Sequence, residues 1–259
     1  MRLATFNILH GRALTDGRVD LDRFGAAVRA LDADVLALQE VDRDQPRSHG
    51  ADLTEVAAEA MGADAHRFVA TMHGEPGMWS AATGDRQPAT ASYGIALLSR
   101  FPVRSWRAVS LPSLRPPALV RFSGTWRAGL VRDEARAALA AVVETPDGPL
   151  TVVATHLTFI PGWNVVQLRR LVRGLRSLPR PLVLMGDLNI ELRRAALLSG
   201  LRPLARGATF PLEAPRHQLD HILADGAITA RSDAASLDLG LSDHRALVVD
   251  VSLSRASRP

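Results

Sequence analysis

The chain has 259 residues, enough for one large domain or two small ones, and its 47% hydrophobic and 22% charged residues are ordinary for a globular protein. It contains no cysteine and all of its basic residues are arginine, which excludes disulfides, thiolate metal sites, a thiol nucleophile and the lysine of Schiff-base enzymes and nucleotide-binding loops. The net charge of +4 is small, and an arginine-only basic set holds the isoelectric point high without indicating a nucleic-acid-binding protein.

Short apolar runs typical of β-strands alternate along the chain with helical patterns. We predict a helix that begins after the N-cap residue Asp20, a second that begins at a capping pair of Asn164 and Gln167, and a third over residues 191–198. The predicted strands are residues 3–8, 35–39, 95–99, 137–143, 150–155, 181–185, 221–224 and 246–251. This order of elements favours an α/β or α+β layered domain.

No repeat, low-complexity tract or linker divides the chain, so we expect one domain over residues 1–259. Residues 74–91 and 111–117 are rich in turn-forming residues and are predicted to be loops. A strand pattern begins at once, without a signal segment, and the longest apolar run, residues 137–143, is too short to cross a bilayer. We therefore expect no transmembrane segment, a cytoplasmic location and a monomer.

The charges are unevenly distributed along the chain. Residues 16–64 carry a net charge of −7, whereas residues 100–136 carry +6 and residues 169–216 carry +7. The two basic segments fit either solvated helix faces and loops or an anion-binding surface, and the sequence leaves both interpretations open.

Polar residues stand at the ends of six of the apolar runs. Taken singly, each has a simple structural explanation as a turn residue, a helix cap, a surface carboxylate or a core histidine. Together they are better explained by buried strands that bring polar groups to one edge of a sheet, where open sheets place their sites. The residues are Asn7, Glu40, His156, Asp187 with Asn189, Asp220, and Asp243 with His244.

This set of residue types restricts the chemistry. Oxygen donors without cysteine suit a hard cation such as Mg²⁺ or Mn²⁺. Histidines and further carboxylates then remain for water activation and charge stabilisation. With an arginine-rich surface, the combination favours hydrolysis of a phosphate ester.

Seven segments, including those that contain these residues, follow one another along the chain: TFN at 5–7, LQEV at 38–41, GIALLSR at 94–100, THL at 155–157, GDLN at 186–189, LDH at 219–221 and SDHR at 242–245. In this order they resemble the endonuclease/exonuclease/phosphatase superfamily, which includes deoxyribonucleases, apurinic endonucleases, sphingomyelinases, deadenylases and inositol polyphosphate phosphatases. The resemblance implies a four-layer α/β sandwich, in which two mixed β-sheets pack together and helices flank them. It also implies a metal-dependent phosphoric ester hydrolase.

The resemblance also implies roles for the metal and the attacking water. Glu40 would bind Mg²⁺, with Asn7 and Asp243 close by as ligands or as partners of the ligands. Asp187 would orient and deprotonate the water, and Asn189 would hold the water or a phosphate oxygen.

For the substrate phosphate, the resemblance implies that His244 stabilises the pentacovalent phosphorus, with its ring oriented by Asp220. His156 would contact the phosphate from the other side. Arg136, just before a predicted strand, resembles the phosphate-binding arginine of the family. A carboxylate paired with a histidine is also the arrangement that holds one tautomer and supports an imidazolium.

Departures from the family pattern bear on the substrate. Apurinic endonucleases usually carry a tyrosine where this chain has His156 and Glu-Thr-Lys where it has Glu-Val-Asp at 40–42, which argues against abasic-site repair. Many relatives have Gly-Asn where this chain has Gly-Ile at 94–95. A histidine at position 156 is closer to the pattern of the deoxyribonuclease and sphingomyelinase branches.

Three hypotheses follow. The first is a metal-dependent phosphodiesterase acting on nucleic acid, and the second keeps this chemistry on a phospholipid headgroup or a small phosphorylated metabolite. The third is a non-catalytic binding module, against which the intact set of polar residues speaks. The apolar segment 159–163 is compatible with base stacking, with a lipid contact or with a loop folded onto its own helix.

Overall fold

The computed structural model describes residues 1–82, 89–121 and 128–254. The α-helices among these residues are α1 (Leu21–Leu31), α2 (Leu53–Met61), α3 (Trp163–Leu175) and α4 (Leu192–Ser199). The strands are β1 (Arg2–Asn7), β2 (Val35–Arg43), β3 (Ala65–His73), β4 (Ser80–Ala81), β5 (Ser92–Ser99), β6 (Val103–Leu111), β7 (Ala118–Arg121), β8 (Ala128–Val131), β9 (Arg136–Thr145), β10 (Gly148–His156), β11 (Leu182–Asp187), β12 (Arg202–Pro203), β13 (Asp220–Asp225), β14 (Ile228–Ala230), β15 (Ala235–Leu237) and β16 (Ala246–Leu253). Short 3-10 turns at Leu9–Gly11 and Pro46–Ser48 follow β1 and β2.

The strands form two large mixed sheets and a hairpin. The larger sheet has the order β14-β16-β1-β2-β5-β3-β4, with β15 also paired to β16, and the smaller has the order β12-β13-β11-β10-β9-β6. β1 and β2 run parallel in the larger sheet, as do β10 and β11 in the smaller, while their other neighbours run antiparallel. β7 and β8 pair only with each other among the described strands.

The two sheets pack face to face, and helices cover their outer faces. Leu3 and Val35 of the larger sheet share one buried cluster with Val152 and Val183 of the smaller. On the outer face of the larger sheet, α1 and α2 pack through Phe24 and other apolar residues. α3 and α4 pack in the same way on the smaller sheet. The predicted four-layer sandwich is therefore confirmed.

The alternation of side chains along the strands explains these layers. In β11, Val183 and Met185 face the inter-sheet core, whereas Leu182 and Leu184 face the helices. Strands that are buried on both faces carry continuous apolar runs, and such runs are what identified them in the sequence. The next residue on the inner face of β11 is Asp187, at the rim of the sandwich.

Each predicted strand corresponds to an observed strand, and the predicted helix after Asp20 is α1, whose N-cap side chain accepts a hydrogen bond from the Arg23 amide. The predicted capping pair of α3 is wrong. Helix α3 begins at Trp163 after the N-cap residue Gly162, so Asn164 already lies in its first turn, where its Oδ1 accepts from the Gly162 and Val165 amides. Gln167 is occupied elsewhere, since its side chain accepts from the Thr158 amide and donates to the Pro112 carbonyl.

The two predicted loops are mostly irregular where they are described. The first contains β4, and its residues 83–88 lie outside the described part of the chain. The second follows directly from the last residue of β6 and carries no regular structure from 112 to 117. Within the described residues, no helix has the length and apolar character needed to span a membrane.

Candidate active site

The site lies at one rim of the sandwich, where inner-face positions of several strands become polar. His156, Asp187 and Asp220 stand side by side on three neighbouring strands, because β10, β11 and β13 pair in that register. Asn7 ends β1 in the facing sheet, and its side chain reaches Asp187. Asn7 and Asp187, which are 180 positions apart in the sequence, therefore meet at one rim.

The chain at the end of β11 can hold this geometry only with glycine at position 186. Gly186 has a φ of 141°, and a Cβ there would lie 1.9 Å from the Thr155 carbonyl oxygen of β10. Beyond it, Asp187 Oδ1 accepts a hydrogen bond of 2.9 Å from the Asn189 amide, and Asn189 adopts a φ of 50°. The Gly-Asp-Leu-Asn segment thus forms a close strand contact and an Asx turn that together direct the carboxylate inward.

The Asp187 carboxylate is the centre of the site. Its Oδ2 accepts a hydrogen bond of 3.1 Å from Asn7 Nδ2 and lies 3.5 Å from His156 Nε2 and 3.8 Å from His244 Nε2. Burial, with the nearby negative charge of Asp220, raises the pKa of Asp187 to about 7. This carboxyl group can therefore exchange a proton near neutral pH.

His244 and Asp220 form a buried ion pair beside Asp187. His244 Nδ1 lies 2.8 Å from Asp220 Oδ2, and the Thr209 hydroxyl donates to the same oxygen at 2.6 Å. The Phe210 ring packs against the imidazole at a centroid distance of 4.9 Å. Burial disfavours the charged ring, but the carboxylates of Asp220 and Asp187 outweigh this effect and raise the pKa of His244 to about 10. His244 is therefore a cation at neutral pH.

His156 has the opposite character. Arg136 Nη1 donates to His156 Nδ1 at 3.1 Å, so the proton of the neutral ring is on Nε2, facing Asp187. Burial and the adjacent Arg136 guanidinium hold the pKa of His156 well below its ordinary value. Arg136 is itself paired with Glu134 at 3.1 Å, and its buried Nε has no hydrogen-bond partner among the described residues.

The third part of the site is formed by Glu40, Asn7 and Asp243. Glu40 sits at a bulge of β2 with a φ of 58°, and its Oε1 accepts a hydrogen bond of 3.2 Å from Asn7 Nδ2. Ser242, with a φ of 70°, donates to the Asn7 carbonyl at 2.6 Å and so brings Asp243 to this side. Burial, together with the negative charge of Asp243, raises the pKa of Glu40.

Residues 4–244 match the Endonuclease/Exonuclease/phosphatase family. The chain belongs to this family. It is accordingly a phosphoric ester hydrolase, with a buried cluster of Asp187, Asp220 and His244. No curated protein matches the sequence at a significant level.

Solved structures of the family share the fold over almost the whole chain. An endonuclease/exonuclease/phosphatase from Beutenbergia cavernae DSM 12333 is 26% identical, with a TM-score of 0.69, over 98% of this chain and 71% of that chain. The mannosyl-6-phosphatase of Bacteroides thetaiotaomicron VPI-5482 is 14% identical, with a TM-score of 0.62, over 98% of this chain and 100% of that one. Sphingomyelinase C from Streptomyces griseocarneus is 16% identical, with a TM-score of 0.60, over 96% of this chain and 98% of that one. The last two likenesses show the fold alone.

Every site residue predicted from the sequence lies at this rim, though the contacts of one differ from the expectation. The side-chain amide of Asn189 donates to the Leu157 carbonyl at 3.0 Å, and its backbone amide holds Asp187. The side chains that are partly exposed are those of Glu40, Asn189 and Asp243, so the site opens to solvent on their side.

A group that could hold a metal ion is present in the described residues. One ligand atom from each of Asp187, Asp220 and His244 lies within 4.8 Å of the others. The Glu40 side of the rim offers carboxylate and amide oxygens, the donor types that Mg²⁺ and Mn²⁺ prefer.

Sequence reasoning missed three residues that shape this site. Thr209 and Phe210 support the Asp220–His244 pair from a loop without a recognisable motif. Tyr93 is buried, and burial with the charge of Glu40 raises its pKa well above the ordinary value. The only feature of the sequence that could have indicated Tyr93 was its position directly before the GIALLSR segment.

The apolar segment 159–163 is only partly exposed. Ile160 is buried, and the Trp163 ring nitrogen donates to the Pro112 carbonyl at 3.1 Å, whereas Phe159 remains 40% exposed. Ile160 and Trp163 therefore pack onto the fold, whereas Phe159, Pro161 and Gly162 are exposed.

Proposed function

We propose that this hydrolase is a Mg²⁺-dependent phosphodiesterase that cleaves nucleic acid, with Asp187 as the general base. The observation that carries the proposal is the convergence on Asp187 Oδ2 of an amide donor from Asn7, a neutral histidine and a protonated histidine. A water placed at this carboxylate would be hydrogen-bonded, oriented and close to two groups that bind phosphate oxygens.

Asp187 is suited to deprotonate the attacking water. A general base works best when its pKa lies near the working pH, and burial places the pKa of Asp187 at about 7. In the proposed step, the water oxygen bonds to phosphorus, its proton passes to Asp187, and the bond from phosphorus to the leaving oxygen breaks. The turn through Asn189 keeps the carboxylate aligned for this transfer.

His244 and His156 would act on the phosphate oxygens in different ways. His244, protonated and oriented by Asp220, would stabilise the negative charge that develops on the phosphoryl oxygens. His156, neutral with its proton on Nε2, would donate one hydrogen bond. Arg136, which donates to His156 and pairs with Glu134, would add positive charge beside this histidine.

Glu40, Asn7 and Asp243 would hold the metal ion. Their oxygen donors suit Mg²⁺. Burial and the negative charge of Asp243 raise the pKa of Glu40, and a bound cation would favour its ionised form. Because Glu40 and Asp243 are partly exposed, the waters that Mg²⁺ usually retains have room. When bound, the ion would neutralise charge on the substrate phosphate.

Nucleic acid is the preferred substrate class because of the arginines on the surface. Trp163, at the start of α3, and three arginines further along the helix line one groove, which combines a ring for stacking with charges for phosphates. The arginines are Arg169, Arg170 and Arg173. The basic segment 169–216 thus presents part of its charge as one surface.

The test is a substrate panel with Mg²⁺, Mn²⁺ or chelator. It compares plasmid DNA, RNA, bis(p-nitrophenyl) phosphate, p-nitrophenyl phosphate, sphingomyelin vesicles and sugar phosphates. Cleavage of DNA or RNA that requires the metal supports the proposal. Turnover of only the vesicles or the sugar phosphates would indicate that the substrate is a lipid or a small metabolite and that the chemistry is the same. No turnover of any substrate would support a binding module.

The variant Asp187→Asn tests the assigned base. It should reduce turnover by at least ~10²-fold, which is the usual size of a general-base contribution. Asp147→Asn is the matched control, because Asp147 is exposed in the β9–β10 turn at the opposite end of the strands. Unchanged turnover in Asp187→Asn would refute the assignment.

A further inference from the structure

A cationic groove lies beside the Glu40 side of the site, between the turn after β1 and the turn after β2. It has a volume of about 650 Å³. The titratable residues that line it are His10, Arg12, Arg18, Arg47 and His49, and no carboxylate is among its lining residues. We call it the Arg12–Arg18 groove.

Two of its arginines lack a salt-bridge partner among the described residues. Arg12 and Arg18 are exposed, and no carboxylate within the described part of the chain forms a salt bridge with either guanidinium. Arg47 differs, because its guanidinium binds Asp42 with two hydrogen bonds of 2.8 and 2.7 Å. The free charge of the groove therefore comes from Arg12 and Arg18.

This positive charge lies inside the segment 16–64, whose net charge is −7. The carboxylates around the groove are engaged elsewhere. Asp20 caps α1 and Asp52 caps α2 through hydrogen bonds to backbone amides. Asp16 pairs with Arg23 at 2.8 Å. Asp16 also interacts electrostatically with Arg18 and offsets part of its charge, although its hydrogen bonds are to the Arg23 side chain and the Arg18 amide. An anion in the groove would therefore meet two guanidinium groups that no carboxylate of the described residues holds in a salt bridge.

The groove is joined to the site by a strained turn. Asn7 Oδ1 accepts from the Leu9 amide at 3.2 Å, and Leu9 and His10 have φ values of 43° and 47°. The Arg12 carbonyl accepts from the Ser242 amide at 2.7 Å. Two consecutive non-glycine residues in this conformation are uncommon and persist only where surrounding contacts hold them.

His10 in the groove contributes no charge at neutral pH. Burial, with the positive charges of Arg47 and Arg12, lowers the pKa of His10 to about 4. Its neutral ring can donate or accept a hydrogen bond beside the arginines.

We propose that the Arg12–Arg18 groove is a second anion subsite, which holds a phosphate group of the substrate other than the one that is cleaved. The inference rests on the proposed function and narrows its substrate to molecules with at least two phosphates, such as an oligonucleotide. Three residues of a 3-10 turn span roughly 6 Å, and phosphates on one strand recur at roughly 3.4 Å along the axis. The subsite therefore lies within a few nucleotides of the site.

The binding test uses a fluorescein-labelled hexathymidylate and Asp187→Asn protein, which binds without cleaving. Anisotropy compares this protein with versions that add R12Q/R18Q or the control pair R29Q/R231Q. Arg29, in the last turn of α1, and Arg231, whose amide donates to the Asp250 carbonyl, are exposed and lie near the start of β1, at the other end of this strand from the groove. The control therefore removes the same charge from another place. Circular dichroism verifies that each protein is folded.

The subsite predicts that R12Q/R18Q weakens hexathymidylate binding about tenfold, as expected for two exposed charge interactions. The slope of log affinity against log salt should fall by about 0.7 for each arginine–phosphate interaction that the substitutions remove. The control pair should change neither value. Equal weakening by both pairs, no weakening by R12Q/R18Q, or no binding before these substitutions would overturn the subsite.

A turnover measurement separates this inference from the proposed function. In the active enzyme, R12Q/R18Q should lower the ratio of kcat/KM for hexathymidylate to that for bis(p-nitrophenyl) phosphate about tenfold, through KM. An unchanged ratio overturns the subsite and leaves the proposed phosphodiesterase in place. Arginine-dependent binding by a protein that cleaves no phosphodiester would instead retain the subsite and refute the proposed function.

Discussion

Asp220→Asn is the sharpest perturbation of the proposed site, because it removes one charge and keeps the shape of the side chain. Asp220 Oδ2 lies 2.8 Å from His244 Nδ1, and both residues are buried. The asparagine can still accept from the ring through its carbonyl oxygen. What changes is the counter-charge of the imidazolium.

The magnitude follows from this distance. At an effective dielectric constant of about 20, unit charges 2.8 Å apart attract by about 6 kcal/mol. This energy corresponds to about four pH units in a titration. The pKa of His244, about 10 in the intact pair, should therefore fall to about 6 or below in the variant. At pH 7.5 the ring would change from almost fully protonated to mostly neutral.

Two assays measure the consequence. An NMR titration of the imidazole resonances reports the pKa of His244 directly, and turnover at pH 7.5 should fall at least ~10²-fold if the imidazolium stabilises the transition state. Asp147→Asn again serves as the charge-matched control. The reasoning would be refuted if His244 in Asp220→Asn still titrated near pH 10, or if turnover were retained after His244 had become neutral.

Three further predictions concern stability and the metal. Gly186→Ala should cost more than about 4 kcal/mol in urea unfolding because its Cβ meets the Thr155 carbonyl, whereas Gly174→Ala, in open space on α3, should stabilise by about 0.5–1 kcal/mol; equal effects would contradict the close approach of the two strands. Since the pKa of His244 is raised in the folded state, its stabilisation is complete below pH 6.5 and is lost as the pH rises through about 10. Unfolding free energies measured in chelator should thus decline by up to about 1.4 kcal/mol per pH unit across that range, and His244→Gln should remove this part of the slope. Chelator should abolish turnover and added Mg²⁺ or Mn²⁺ should restore it, so activity that persists in chelator would exclude the metal role of Glu40.

The elements that the sequence predicted are those whose burial leaves a local pattern. β10 and β11 are buried on both faces and read as continuous apolar runs. β6 was missed because it is an edge strand whose arginines and serines face solvent. α2 was missed because alanines form much of its buried face, although Asp52 caps it in the same way as Asp20 caps α1.

The sequence predicted which residues form the site better than it predicted the contacts between them. The pairing of Asp220 with His244 was anticipated from the family resemblance. The packing of Phe210, the support by Thr209 and the neutral tautomer of His156 were not, because they depend on segments that no pattern connects. The capping pair predicted for α3 failed for the same reason, since Gly162 is the N-cap residue and the Gln167 side chain binds Thr158 and Pro112.

The sequence by itself determined the chemistry that this protein has at its disposal. The chain has no cysteine or lysine, and the polar residues at the ends of its predicted strands are Asn, Asp, Glu and His. The alternation of side chains along each strand decides which of these residues point to the inner face of the sheet. Alternation is a local property with a period of two, so it can be recognised before the fold is known.

Only the tertiary structure decided which charges are neutralised and which remain free. Residues 16–64 are acidic in sum, yet Asp20 and Asp52 cap helices, Asp16 and Asp42 pair with arginines, and the groove beside the site is cationic. Charge in the folded protein acts over a few ångströms and is set by the partners that packing supplies. Summed charge along a segment contains no information about those partners.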